Sequence, residues 1–228
     1  HPGKYFIRAV MAGFFIAVAM IYSNVVNSLF ADTSAAWGKF LGGLVFSIAV
    51  LLIVFIGSEL FTGNNLIMAF GAYDRAVSWG QTVKVWIVSY IGNFVGCFVF
   101  AGIWVLAGTS GAQDYLAGII GGKLSIEPGE MFFRAVLCNF FVCLAVACGT
   151  KCKEETAKFL MIVICISGFV ISGFEHCIAN MALFTAVGFT ASGVSISSML
   201  FSMLIVTLGN MVGGAVLLIA DILARSLH

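Results

Sequence analysis

Charge is scarce in this chain. Only 9% of its 228 residues are Asp, Glu, Lys or Arg, where a soluble domain carries about 25%. With 61% hydrophobic residues and a mean hydropathy of +1.11, the chain cannot keep a soluble surface wet, so lipid must cover most of it. The formal net charge of +1 leaves no basic footprint and excludes nucleic acid as a partner. Proline is almost absent, with only Pro2 and Pro128, and nothing of that kind interrupts long helices. The apolar/polar alternation of a membrane β-barrel is missing too. Runs such as 162–171 and 200–219 are continuously apolar. Seven cysteines are present (Cys97, Cys138, Cys143, Cys148, Cys152, Cys165 and Cys177), but no CxxC or Cys/His ligand spacing. They read as small apolar residues at helix contacts, with no metal or cofactor expected. No cleavable signal peptide is visible. The chain opens at His1, so further N-terminal sequence is expected to precede it.

What is present is helix. A spanning helix needs about 20 predominantly apolar residues, and six stretches qualify, roughly 5–30, 38–72, 81–107, 130–150, 157–188 and 195–224. The 26 glycines suit helices packed closely through small residues. The second and fifth stretches are too long for one span, and each has a polar, glycine-containing interruption in its middle. Lys4, Arg8, Arg75, Lys84, Lys151, Lys153, Lys158 and Arg225 would fall on one side, and Lys39, Lys123 and Arg134 on the other. Eight basic residues against three predict that both termini are cytoplasmic. The connection 108–129, which carries Lys123, then becomes a long outer loop.

Three matches relate the two halves in the same order. Phe6-Ile7-Arg8-Ala9-Val10 resembles Phe132-Phe133-Arg134-Ala135-Val136. Gly57-Ser58-Glu59 with Asn64 parallels Gly173-Phe174-Glu175 with Asn180, and Gly92-Asn93-Phe94-Val95-Gly96 parallels Gly209-Asn210-Met211-Val212-Gly213. The offsets are 126, 116 and 117 residues. Three spans per half is an odd number, so the second copy must enter the membrane from the opposite side. The expected fold is an all-α membrane protein: one domain (repeat 1 about 1–107, outer loop about 108–129, repeat 2 about 130–228), with helices 2 and 5 broken at the midplane. Such inverted repeats build the central sites of many channels and transporters.

Unwound backbone inside a bilayer is tolerated only where protein or a wet cavity satisfies it. Gly57 and Gly173 permit the turn, and Glu59 and Glu175 can pin freed backbone or handle protons. A half-helix starting at the midplane directs N–H groups and partial positive charge inward, which favours an anion. His176 lies in the second break. It is the only histidine away from the chain ends, and an ionisable residue at that depth is a functional candidate. Its alternative role is structural, tied to Glu175 or Asn210. Asn93 and Asn210 suit helix-to-helix bonding or pore lining, and Lys123 suits a solvated charge or an anion attractor at the pore mouth.

The two break motifs, Gly57-Ser58-Glu59-Leu60-Phe61-Thr62-Gly63 and Gly173-Phe174-Glu175-His176-Cys177-Ile178-Ala179-Asn180-Met181, resemble those of the formate/nitrite transporter family. Supporting matches are Leu137-Cys138-Asn139, Val142-Cys143-Leu144-Ala145 and Thr207-Leu208-Gly209-Asn210, and the resemblance covers essentially the whole chain. It implies an aquaporin-like protomer assembled into a homopentamer in the inner membrane. It also implies passive or proton-linked passage of a small monovalent anion: formate, nitrite or hydrosulfide. Thr62 and His176 map onto the family's central pair, and Lys123 onto its vestibule lysine. Asn139, Asn180 and Asn210 join them as pathway candidates. Leu60, Phe61 and Phe46 would form one hydrophobic constriction, with Val50 and Phe169 in the other. Val50 is smaller than the leucine associated with that place. Two other functions compete: an aquaporin-like neutral-solute channel, whose paired Asn-Pro-Ala motifs are missing here, and an intramembrane enzyme using His176 and Glu175, for which no second nucleophile or metal-ligand set is present.

Overall fold

The computed structural model describes residues 2–108, 112–188 and 194–226. Among them run ten α-helices: α1 (Pro2–Leu29), α2 (Ala35–Phe46), α3 (Ile48–Ile56), α4 (Phe61–Tyr73), α5 (Trp79–Leu106), α6 (Gln113–Leu124), α7 (Pro128–Lys151), α8 (Glu155–Ser172), α9 (Cys177–Leu183) and α10 (Ile196–Ser226). A π-helical turn, Phe184–Gly188, prolongs α9. Six helices are long and apolar enough to cross a membrane, with α2 and α3 counting as one through a turn at Ser47. They coincide with the six apolar stretches once the second and fifth are divided.

Both divisions fall on a glycine in the left-handed region. Gly57 (φ 81°) ends α3 and Gly173 (φ 74°) ends α8. A side chain there would strain the backbone, whereas glycine closes each helix without cost. After each stop, three non-helical residues, the last of them extended (Leu60, His176), lead to a new helix, α4 at Phe61 and α9 at Cys177.

The long helices pack through glycine. A Cβ placed on Gly96 of α5 would lie 2.0 Å from the Val10 carbonyl oxygen of α1, and one on Gly13 of α1 would lie 1.9 Å from that of Asn93. In the second half, a Cβ on Gly213 of α10 would lie 2.2 Å from the Val136 oxygen of α7. Backbones this close exclude any larger residue. Gly96→Val is therefore expected to push α1 and α5 apart and cost about 3 kcal/mol or more. Gly102→Ala, on the same helix with open space around it, should be neutral. Thermal unfolding in detergent, read with size-exclusion chromatography, checks the contrast.

The 108–129 connection departs from the expected loop. Residues 109–111 lie outside the described residues, but Gln113–Leu124 is helical. Leu116 and Ile120, one turn apart, are fully buried. Asp114 sits in the first turn and Lys123 in the last, the arrangement that complements the helix dipole. Gly118, Gly121 and Gly122 obscured this helix in the sequence.

Candidate functional site

The three repeated motifs converge at one place in each half. In the first break the Glu59 N–H donates to the Arg8 carbonyl (3.2 Å). Asn93 Nδ2 donates to the carbonyls of Ala9 (2.8 Å) and Glu59 (3.0 Å), while its Oδ1 accepts from the Phe61 N–H (2.9 Å). In the second break the Glu175 N–H donates to the Arg134 carbonyl (3.4 Å). Asn210 Nδ2 donates to the carbonyls of Ala135 (2.8 Å) and Glu175 (2.9 Å), and its Oδ1 accepts from the Cys177 N–H (2.8 Å). The same bonds therefore occur twice, and they satisfy the backbone that each break frees.

This geometry reassigns two expectations. Asn210, a pathway candidate, commits both amide protons and its oxygen to backbone and acts as a strut, like Asn93. The first N–H of each half-helix is likewise taken by an asparagine side chain, so helix polarity reaches the centre as partial charge rather than through that donor. Asn139 is a further strut. Fully buried, it donates from Nδ2 to the carbonyls of Thr62 (3.2 Å) and Asn210 (2.6 Å), fixing α4 against α7 and α10.

The glutamates differ in their company. Asn64 Nδ2 donates to Glu59 Oε2 (3.1 Å) and to Tyr5 Oη (2.8 Å), so neutral groups surround the first carboxylate. Asn180 Nδ2 donates to Glu175 Oε2 (2.7 Å), but Lys123 Nζ also donates to both Glu175 oxygens, at 2.8 and 2.9 Å. The pair is largely withdrawn from water, with side-chain exposures of 18% for Lys123 and 5% for Glu175. Lys123 is thus a paired cation, not a solvated one. Tyr5 went unrecognised in the sequence, because nothing local connects it to Glu59.

His176 is buried and caps α9. Its Nδ1 accepts the Ala179 N–H (3.1 Å), and its Nε2 lies 3.0 Å from Thr62 Oγ1. A ring nitrogen that accepts a backbone N–H carries no proton, so in the neutral ring the proton is on Nε2 and donates to Thr62. Phe169 stacks on the imidazole, with centroids 5.9 Å apart and an interplanar angle of 19°. Phe46 meets Phe169 edge-on at 5.9 Å. Phe46 thus packs against Phe169, the residue the resemblance assigns to the other constriction. Val50 and Leu60 are buried. Phe61 packs edge-on against Tyr90 and lines a separate apolar groove beside α5 and α10.

A cavity of about 200 Å³ connects these groups, lined by Lys39, Phe46, Lys123, Phe169, Glu175, His176 and Asn180 among others. One wall comes from Ser23, Asn24 and Asn27 of α1. Thr62, bonded to His176, arrives from the other half of the chain.

The family model described as formate/nitrite transporter matches residues 1–222. The chain belongs to the formate/nitrite transporter family. It is 34% identical to the formate channel FocA of Haemophilus influenzae, over 95% of this chain and 84% of that protein. It is 31% identical to the nitrite transporter NirC of Escherichia coli, over 95% and 81% respectively. A solved pentameric formate channel with formate bound superposes with a TM-score of 0.92 at 30% identity, covering 100% of this chain and 98% of the other. These relatives are membrane transport proteins, not enzymes.

Proposed function

We propose that this chain is one protomer of a homopentamer that passes a small monovalent anion (formate, nitrite or hydrosulfide) through a pore of its own. The observation that carries the reading is the Thr62–His176 hydrogen bond where the cavity meets the second half-helix. The pentameric formate channel that resembles this chain supports both the assembly and the class of solute. In this reading 1–228 is a single inner-membrane domain with both termini cytoplasmic. Repeats 1–107 and 130–228 are inverted about the midplane, where helices 2 and 5 are broken, and 108–129 is the outer connection.

A bare anion crossing the apolar Phe46–Phe169 gate faces a steep desolvation cost. Short polar stations on either side lower it. Asn180, whose Oδ1 has no partner, stands before the gate with the Lys123–Glu175 pair. Beyond it, His176 Nε2–H and the Thr62 hydroxyl can turn from each other toward a solute. Val50 joins Phe169 at the gate, Leu60 closes the pathway on the far side, and Asn139 and Asn210 hold its walls. Gly57, Glu59, Gly173 and Glu175 maintain the two breaks.

Proteoliposomes loaded in turn with formate, nitrite and hydrosulfide test the proposal, with glycerol as the neutral control. At least one anion should cross well above the protein-free rate while glycerol does not. Glycerol flux without anion flux would instead favour the neutral-solute channel.

A further inference from the structure

The charged residues lining the cavity are Lys39, Lys123 and Glu175. Lys123 gives its ammonium to both oxygens of Glu175, so that pair carries no net charge. Two lysines against one glutamate leave one positive charge uncompensated, and it belongs to Lys39. No carboxylate among the described residues forms an ion pair with Lys39. Asp32, the only acid in 31–46, is not among its partners.

Lys39 is brought to the mouth by the packing of α2 on α1. Gly38 and Gly42 lie against the end of α1, where a Cβ on Gly42 would come within 2.2 Å of Asn27 Oδ1. The lysine is exposed and shares the cavity wall with Asn24 and Asn27. Asn24 Nδ2 is held by the Met20 carbonyl (2.8 Å), and Asn27 Nδ2 reaches Asn24 Oδ1 (3.4 Å). Asn27 Oδ1 is buried without a partner. The wall is therefore polar but neutral, and Lys39 above it has no ion-pair partner among the described residues. A cleft with an unbalanced charge of one sign and low-dielectric walls concentrates ions of the other sign.

Resting on the anion-pore reading, we propose that Lys39 is a recruiting charge for the anion at this mouth, beside the Lys123 that is paired with Glu175. Lys39 then governs capture, while Thr62 and His176 govern passage. Initial rates of formate uptake into proteoliposomes should separate the two steps, measured against formate concentration at low and raised ionic strength. Lys39→Gln is expected to raise the half-saturating concentration roughly three- to ten-fold at low salt with the maximal rate unchanged. Lys39→Arg should behave as wild type, and Lys39→Glu should exceed the Gln variant. Raised salt should weaken capture in wild type and leave Lys39→Gln almost unaffected. Because Lys39 is exposed, assembly should be unaltered on size-exclusion chromatography. Wild-type flux with unchanged half-saturation in the Gln and Glu variants would overturn this assignment alone. No formate, nitrite or hydrosulfide flux in wild type would overturn the pore reading and this assignment with it.

Discussion

Glu175→Gln should destabilise the protein by on the order of 3 kcal/mol, whereas Glu59→Gln, at the matching position of the first half, should cost about 1 kcal/mol or less. The difference lies in what each substitution strands. Removing the Glu175 charge leaves Lys123 Nζ, bonded to both carboxylate oxygens, without a counter-ion in a place where its side chain is only 18% exposed. Breaking a buried pair from one side costs about 3–5 kcal/mol. Water in the adjoining cavity moderates that value, since Lys123 is the more exposed partner. Glu59 has Asn64 and Tyr5 beside it and, among the described residues, no ion-pair partner, so its neutral isostere strands no cation. Removing both members with Glu175→Gln/Lys123→Met should recover much of the loss, because no charge is then left unpaired. Thermal unfolding of the four proteins in one detergent reads the result. Equal losses for the two single Glu variants would sink the claim that the second break depends on its ion pair.

The contrast between the two glutamates marks how far the sequence could be read. Six apolar runs, the two glycine stops at Gly57 and Gly173 and the paired motifs are local signals, and each has a direct physical consequence for the backbone. Family membership was legible for the same reason, because the break motifs are contiguous. What could not be read depends on groups far apart in the chain. Lys123 and Glu175 are 52 residues apart, and neither has a local pattern announcing the other. Asn210 looked like a pore residue because it is polar in an apolar run, yet its bonds reach 75 and 35 residues back to Ala135 and Glu175. Its matching Asn93 made the strut role just as plausible from sequence, and the shared bonding pattern decides it. The edge-on contact of Phe46 with Phe169 is likewise hidden, because linear position does not give helical phase across the Ser47 turn. Lys39 served only as a topology marker, since the cavity it overlooks exists only once α1, α2, α6, α8 and α9 are assembled.

Replacing His176 by Asn should leave the fold intact and remove the part of the pH dependence of anion flux that belongs to the protein. In wild type the imidazole has two duties on its two nitrogens. Nδ1 caps α9 by accepting the Ala179 N–H, and Nε2 faces Thr62. Asparagine is among the best capping residues, so its Oδ1 can take over the first duty, and its amide can donate toward Thr62. It cannot gain a proton. The neutral imidazole, for its part, cannot give its single Nε2 proton to an anion without becoming an imidazolate. Proton transfer therefore requires the doubly protonated ring, whose Nδ1–H would face the Ala179 N–H in place of accepting from it. Charging His176 and releasing the first turn of α9 are one event. Acidification, which favours the charged ring, should accelerate wild-type flux and leave His176→Asn nearly flat. Chloride, whose acid has no neutral form in this pH range, serves as the comparison that removes the solute's own titration. His176→Phe, which has neither cap nor donor, should lose about 1 kcal/mol of stability on top of the flux change. Formate flux with the same pH profile in wild type and His176→Asn, measured in liposomes of verified pentamer content, would show that the histidine only shapes the pore.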